Sequence, residues 1–496
     1  MPPTLPTVEE ALPKHLDLFY NSAWHAPRSA HYQETYSPGT GKVITEVAQA
    51  GAEDVNAAVE AADHAFHTFK LTPPPQRAAM LRRAAQICRE HATELAFLDA
   101  LDTGNPIAEM LSDANVAAAS MDFFAGLIPM LKGETIPQSD DTFHYTIREP
   151  LGVVARIVAF NHPVMFAGAK LAAPIAAGNC VVIKPPDQAP LSCLRLAELL
   201  SDVFPPGVLN ILPGGVECGT ALSSHRLVRK ITLIGSVPTG KAIARTAADT
   251  LKSTLFELGG KNALIAYPDA DIPKLIQGIG RGMNFTWAGQ SCGSTSRVFL
   301  HASIHDALLP QVVDFVKNNF KPGPPTDMGT TMGPVISETA RDRILDYIQS
   351  GIDEGATLLH GSPNPPSESE FPGIEEGYFL HPTIFTDVSP AMRIASEEIF
   401  GPVMSVFKWE DEEDLYRIVN ATEYGLTASI YTRDIATAQR AVKRVEVGYV
   451  WVNQVGRHFL GVPFGGYKES GGGREECLEE LMAFTQSKSA NFGLAP

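Results

Sequence analysis

From Val153 onward the chain returns repeatedly to short runs rich in Val and Ile: "VVARIVAF", then "CVVIKP", then "VLNILPGG", then "RKITLIGS". A strand with one face in water alternates apolar and polar side chains. These runs are apolar at successive positions, so both of their faces must be covered. A parallel sheet between layers of helices meets that requirement, and helical stretches do separate the runs. A second series follows, with "NALIAY", "SRVFLH", "VMSVFKW", "TASIYTR" and "GYVWVN" as strands and helices such as "DEEDLYRIVNAT" between them. Two α/β domains with parallel-type sheets are expected. Upstream, "EDVNAAVEAADHAFHTFK" places Val55, Val59, Ala62, Phe66 and Phe69 at the 3-4 spacing of one helix face, and the Ala-rich stretch from Pro75 to Leu98 continues in that style. The first 125 residues therefore read as mostly helical. Between the helical start and the first series, "LKGETIPQSDDTFHYTIREPLG" has a central Ser-Asp-Asp that reads as a turn between two strands, a hairpin arm outside either core. The Pro- and Ser-rich "GSPNPPSESEFPG" reads as a surface loop, and there is no internal repeat.

A chain of 496 residues, 44% hydrophobic and 19% charged, is long enough for two or three domains with sizeable cores. A net charge of -17 argues against nucleic acid and against anionic membrane surfaces, both of which reward clustered Lys and Arg. No apolar stretch is long enough to span a bilayer, and the start has no basic segment followed by an apolar run. The six cysteines, Cys88, Cys180, Cys193, Cys218, Cys292 and Cys477, form no CxxC pair, so neither a disulfide framework nor a metal cluster is expected. A reducing, cytoplasmic setting fits that usage.

A parallel sheet with a glycine-rich strand-to-helix turn suggests a nucleotide. The best such turn is "LIGSVPTGKA", where Gly235 ends a strand and Gly240 opens a helix whose N–H groups can face a phosphate. As a GxxxxGK[ST] loop it fails at Ala242, where a hydroxyl should hold Mg²⁺, and it is not the GxGxxG fingerprint either. Taken alone it reads simply as a tight turn, which in α/β domains is more common than a ligand site. In "TWAGQSCGSTSR", Cys292 lies in a bed of small and hydroxyl residues that leaves the sulfur accessible and offers backbone amides able to lower its pKa. A lone cysteine is otherwise a small buried hydrophobe.

Three further stretches, "AFNHPV" with Asn161, "FELGGKN" with Glu257, Gly259 and Gly260, and "EEIFGPV" with Glu398 and Phe400, accompany "GQSC" in order and spacing. Together they resemble the aldehyde dehydrogenase superfamily, from "YSPGTGKVITEVAQAGAEDVNAAVEAADHAF" near the start to "VPFGGYKESGGGRE" near the end. The resemblance implies an NAD(P)-dependent, non-CoA-acylating enzyme that oxidises a small-molecule aldehyde to a carboxylic acid. Cys292 would add to the carbonyl and carry the thioester, because a trigonal aldehyde carbon releases hydride poorly until a nucleophile makes it tetrahedral. Asn161 and the Cys292 N–H would hold the alkoxide, and Glu257 would activate the hydrolytic water. Lys170 joins the catalytic group by the same resemblance. For the cofactor, Gly235, Ser236 and Thr239 would meet the pyrophosphate, Lys184 and Asp187 the adenine ribose, and Glu398 the nicotinamide ribose. Phe160, Leu258 and Phe400 would complete that site. The aldehyde tunnel would be lined near His162, Met165, Ala169, His458, Phe459 and Phe464.

The same resemblance implies a discontinuous cofactor-binding domain (1–127 and 151–259), a catalytic domain (260–469) and a small β oligomerisation arm (128–150 and 478–496), with a homodimer or homotetramer as the assembly. Asp187 departs from the longer Glu of many NAD-preferring relatives; NAD is expected to be preferred, with NADP possible. Ala169 stands where many relatives place Trp and Gly293 follows the nucleophile, so the tunnel is expected to be wide and poorly suited to caging quaternary ammonium groups. His162 and His458 would either accept a polar or aromatic aldehyde or pack against one another. A CoA-acylating relative would lack the carboxylate that Glu257 provides, and a cofactor-free cysteine hydrolase would need a base such as histidine beside Cys292.

Overall fold

The computed structural model describes residues 4–374 and 376–494; the first three residues of the expected cofactor domain and the last two of the expected arm lie outside them. Two large sheets organise the chain. The first has the order Ala23–His25, Leu18–Tyr20, Leu209–Ile211, Cys180–Lys184, Val153–Ile157, Val228–Ile234, Ser253–Glu257, Gly471–Gly472. Its inner pairings are parallel, and the short segments at both edges join antiparallel. All five residues of Val153–Ile157 and of Cys180–Lys184 are buried, which is why these strands are apolar on both faces. Each fully buried Val or Ile contributes about 1.5–3 kcal/mol relative to exposure, so the sheet interior carries much of the stability of this half.

The second sheet runs Thr357–His360, Thr383–Thr386, Val403–Trp409, Arg297–His301, Ala263–Ala266, Thr427–Tyr431, Tyr449–Val452, parallel throughout except for its first pairing. Separate hydrophobic cores surround the two sheets, and the chain passes from one to the other between Leu258 and Ala263. Among the described residues no helix is long and apolar enough to cross a membrane, and no group of three or more His, Cys, Asp or Glu is placed to hold a metal ion.

Two expectations are sharpened. The first 125 residues are mostly helical, as expected, chiefly in Ala52–Phe69, Pro74–Glu90, Ala92–Thr103 and Ile107–Leu127, but four short strands between Leu18 and Ala48 precede these helices. Their burial is ragged, as in Tyr32–Tyr36, so no clean alternation announces them. Second, Leu478–Ala483 is not part of an outlying arm. It is a helix packed on Pro163–Ala177 and Ile107–Leu127, with Leu481 and Phe484 in the first core. The projecting sheet is Thr142–Pro150 paired antiparallel with Thr485–Gly493. The expected hairpin is present only as a weak first limb, bridged at Thr135 and Tyr145.

The first sheet reverses its winding between Val153–Ile157 and Val228–Ile234: from the former the chain moves outward one way through Cys180 and Leu209, then crosses to the latter. A crevice opens beyond the carboxyl ends of strands at such a switch point.

Candidate active site

That crevice is a cleft of about 880 Å³. The loop after Val153–Ile157 brings Phe160 and Asn161 to it, and the end of Cys180–Lys184 brings Lys184 and Asp187. Gly235 and Ser236 lie at the turn into the helix Val237–Ala248, where Ser236 caps the helix by accepting from the Thr239 N–H. Glu257 and Leu258 end the Ser253–Glu257 strand, while Cys292, Glu398 and Phe400 close the cleft from the second domain. Every residue singled out for cofactor binding, with Cys292, Asn161 and Glu257, therefore shares one cavity. Phe160 and Phe400 meet edge to face with centroids 5.7 Å apart, and Phe400 itself sits at a positive φ of 51°.

Cys292 is half-buried, whereas the other five cysteines are buried. Its loop is shaped by left-handed backbone at Asn284, Ala288 and Gly289, and a Cβ at Gly289 would lie only 2.1 Å from the Gly401 carbonyl oxygen. The expectation of a lowered thiol pKa is overturned. Burial, then the charges of Glu398 and Glu257, push the thiol up to about 12, outweighing the backbone N–H groups of Cys292 and Gly293 that act the other way. A thiol with so high a pKa gains thiolate about tenfold per pH unit on approach to it. Alkylation of Cys292 by iodoacetamide without cofactor is thus expected to be slow at pH 7 and to rise about tenfold per unit to pH 9, measured by mass spectrometry; a rate independent of pH would show that the thiolate already exists at neutrality.

Glu257 is 4% exposed and neither of its carboxylate oxygens has a hydrogen-bond partner. Burial raises its pKa well above the usual carboxylate range, Glu475 adds to the rise and Lys170 opposes it. The Asn161 side chain is also uncommitted, with its Oδ1 sealed and unpartnered, while its backbone carbonyl accepts from Asn105 Nδ2 at 2.7 Å. Glu398 is fixed by the Gly260 N–H at 2.9 Å, and a Cβ at Gly259 would lie 2.0 Å from its Oε2, so only glycine leaves room there.

Lys170 is not in the cleft. It donates to Glu475 Oε2 at 2.6 Å, and Arg156 pairs with the other oxygen of that carboxylate at 2.8 Å. Burial pushes Lys170 towards neutrality, but Glu475 and then Glu480 outweigh it and keep the ammonium. The six tunnel candidates also lie outside the cofactor-sized cleft. His162 and His458 do not pack on one another: His162 pairs with Asp113 at 2.6 Å, and His458 with Glu476 at 3.0 Å. Phe464 lies with Tyr449 and Trp451 in a small aromatic cluster against which Cys292 packs, and His458 stands 4.5 Å from Phe464. Phe459 is approached by Arg457, and Met165 and Ala169 lie on the helix that His162 precedes.

Sequence reasoning missed Asn262. Its Nδ2 donates to the carbonyls of Cys292 (2.7 Å) and Ser294 (2.9 Å), while its Oδ1 accepts from the Thr427 N–H at 2.9 Å, tying the cysteine loop to the second sheet. It stood inside the quoted "FELGGKN", but nothing in a sequence marks an amide that uses both its ends.

The description "Aldehyde dehydrogenase family" matches residues 24–490. The chain is 59% identical to the aldehyde dehydrogenase tropH of Talaromyces stipitatus, covering 100% of this chain and 96% of that protein. It is 40% identical to a betaine aldehyde dehydrogenase of Brucella anthropi, over 91% of this chain and 92% of the relative. Among solved structures, an NAD+ complex of aldehyde dehydrogenase from Bacillus cereus superposes with a TM-score of 0.95 at 36% identity, covering 99% of both chains. With two α/β units, a cysteine and two uncommitted polar side chains in one cleft, and these likenesses along its length, the chain belongs to the aldehyde dehydrogenase family, whose general reaction is the oxidation of aldehydes to carboxylic acids.

Proposed function

We propose that the protein oxidises its aldehyde with NAD through a covalent Cys292 thioester that water activated by Glu257 hydrolyses. The observation that carries this reading is the convergence of Cys292, Asn161, Glu257 and a dinucleotide-sized crevice on one cavity. The residues fit the cofactor. The crevice lies at the switch point of a parallel sheet, the capped start of Val237–Ala248 opens into it, and Lys184 and Asp187 stand near one another at 3.9 Å. Gly235, Ser236 and Thr239 would receive the pyrophosphate, Glu398 the nicotinamide ribose, and Phe160, Leu258 and Phe400 would bound the ring. When bound, the nicotinamide takes up the hydride that the tetrahedral adduct releases.

The chain's own groups do the rest. Cys292 gives its proton to solvent water in the cleft, and the thiolate sulfur adds to the carbonyl carbon as the C–O π pair moves to oxygen and makes an alkoxide. The Asn161 amide and the Cys292 N–H, neither used by a hydrogen bond among the described residues, stabilise the alkoxide. Glu257, whose pKa burial raises, takes the proton of the attacking water when it is ionised, and the acid leaves as the Cys292 thiolate is restored. Lys170 acts at one remove, fixing Glu475 behind Glu257. Two alternatives fit less well. Glu257 argues against acyl transfer to CoA, and among the described residues no histidine lines the cleft to serve a cofactor-free hydrolase.

An aldehyde panel, aliphatic and aromatic, followed by reduced-cofactor absorbance with NAD and NADP tests the proposal; no absorbance change with any aldehyde would overturn it. NAD preference rests on Asp187, whose carboxylate accepts from ribose hydroxyls and repels a 2′-phosphate of about two charges. At an effective dielectric near 20, like charges about 4 Å apart cost on the order of 4 kcal/mol, and solvent lowers this for a side chain 37% exposed. A third of it is about tenfold. Asp187→Ser is expected to raise the NADP-to-NAD ratio of kcat/KM about tenfold; an unchanged ratio would show that Asp187 does not read the ribose.

Assembly follows from the arm. Phe143, Ile147 and Phe492 are exposed on or beside its two strands, where Tyr145 stacks on Phe492 at 5.7 Å. Open strand edges with aromatic side chains are suited to a second copy of the chain. Light scattering at micromolar concentration is expected to give two or four times 53.4 kDa; a monomer would exclude the arm as an assembly element.

A further inference from the structure

The main chain of Cys292 is held at one point. Its N–H donates to no other residue, and its carbonyl accepts from Asn262 Nδ2 at 2.7 Å, the only hydrogen bond between the Cys292 main chain and another residue among the described residues. The same Nδ2 donates to the Ser294 carbonyl at 2.9 Å, so one amide spans the turn 292–294. Its Oδ1 accepts at 2.9 Å from the N–H of Thr427, the first residue of the strand Thr427–Tyr431. Two carbonyls need a donor and one N–H needs an acceptor, so a single orientation of the amide serves all three. Asn262 is 3% exposed, and little water competes for these bonds.

The anchor itself is rigid. Asn262 closes the segment 258–262 that joins the two sheets, and each of its five residues is tied down. Ser470 accepts from the Leu258 N–H at 3.0 Å and donates its hydroxyl to the Gly259 carbonyl at 2.6 Å. Glu398 accepts from the Gly260 N–H at 2.9 Å, and Arg297 donates to the carbonyls of Lys261 at 2.8 Å and Asn262 at 3.1 Å. Gly260 also makes the room: a Cβ there would stand 2.6 Å from the Cys292 carbonyl oxygen and 2.7 Å from Asn262 Oδ1. Glu257 immediately precedes this segment, so one fixed stretch of chain carries Glu257 at its start and the hold on Cys292 at its end. The loop around the cysteine has other supports, since the Thr295 N–H donates to the Gly282 carbonyl at 2.7 Å and the Ser294 N–H to the Ser291 carbonyl at 3.1 Å. Neither fixes the Cys292 carbonyl. Rotation there swings the sulfur and the N–H together, and a displacement of about 1 Å in a reacting group costs about 10²-fold in rate.

We infer that Asn262 is a positioning residue for the reaction: by holding the Cys292 and Ser294 carbonyls to the segment 258–262, it sets the Cys292 sulfur and N–H so that one meets the carbonyl carbon while the other meets its oxygen. This rests on the reading of Cys292 as the nucleophile. Asn262 touches neither substrate nor cofactor, and its effect reaches the chemistry only through the Cys292 main chain.

The test compares Asn262→Ala and Asn262→Ser with the wild-type enzyme in two reactions of the same sulfur. Turnover of an aldehyde that the wild type oxidises is followed by NADH absorbance, and alkylation of Cys292 by iodoacetamide is followed by mass spectrometry. Alkylation attacks a saturated carbon and forms no alkoxide, so it makes no use of the Cys292 N–H. Asn262→Ala is expected to lower kcat about 10–100-fold, with the KM for NAD near the wild-type value and no comparable fall in alkylation. Asn262→Ser keeps a hydroxyl donor on a shorter arm and should lose less; it carries the same comparison if Asn262→Ala does not fold. NAD should still raise the Tm of each variant. A kcat within about threefold of the wild type overturns the inference. So does a fall in alkylation equal to the fall in kcat, which would mean that Asn262 acts on the thiol rather than on its alignment, and so does loss of NAD stabilisation, which would leave Asn262 a residue of the fold alone. Failure of the wild-type enzyme to oxidise any aldehyde, or turnover that survives Cys292→Ala, would instead sink the underlying reading, so the two failures are distinguishable.

Discussion

Cys292→Ala is expected to lower aldehyde oxidation by about 10⁴-fold or more while the protein still binds NAD. The size of the loss follows from the chemistry. Without the sulfur no tetrahedral adduct forms, and no other cysteine can replace it, since Cys88, Cys180, Cys193, Cys218 and Cys477 are all buried. The cost to folding is small by comparison. One half-buried sulfur is removed from a loop that Asn262 and Gly289 shape through backbone contacts, and alanine keeps those contacts. Deleting so little buried volume costs at most about 1 kcal/mol. NAD at 100 times its Kd should therefore still stabilise the variant by about 2.7 kcal/mol, read as a rise in Tm. Substantial turnover in this variant would remove Cys292 from the mechanism. Loss of NAD stabilisation together with turnover would show instead that the substitution disturbs the cleft.

How much of this was legible beforehand depended on whether a segment explains itself locally. Val153–Ile157 and Cys180–Lys184 are buried on both faces, so their sequence is apolar except at Arg156, which pairs with Glu475, and at Lys184, which ends its strand at the cleft, and the parallel sheets could be read from that pattern. Tyr32–Tyr36 has no such signature, because only one of its residues is buried and its pairing with Val43–Ala48 decides its shape. Thr142–Pro150 is similar; its partner, Thr485–Gly493, lies at the other end of the chain. The site divides in the same way. Cys292 stood out by its bed of small and hydroxyl neighbours, yet its raised pKa comes first from burial and then from the charges of Glu398 and Glu257, all of which only folding brings about. His162 precedes one helix and Asp113 lies on another, so their ion pair had no local trace.

The clearest separation of the two halves of the reaction is expected from Glu257→Gln. In the proposed sequence the cofactor is reduced before the thioester is hydrolysed, so the variant should give one burst of NADH equal to the active sites and then slow by about 10²–10⁴-fold, the range that a positioned general base supplies. Gln has nearly the same volume and enters a space where both oxygens of Glu257 already lack partners, so the surroundings need not rearrange. It cannot accept a proton from water. The pH dependence fixes the assignment further. Burial and Glu475 raise the Glu257 pKa, so the carboxylate form that the proposal needs as base is lost as pH falls through that elevated value. Steady-state turnover of the wild-type enzyme should therefore decline on the acid side, and the residual rate of Glu257→Gln should lose that limb. The Cys292 thiol requires the same direction of change, but it acts before the burst, so burst rate and steady-state rate report the two groups separately. If Glu257→Gln abolishes the burst as well, Glu257 acts on Cys292 before the hydride leaves, and the hydrolytic water must be activated elsewhere.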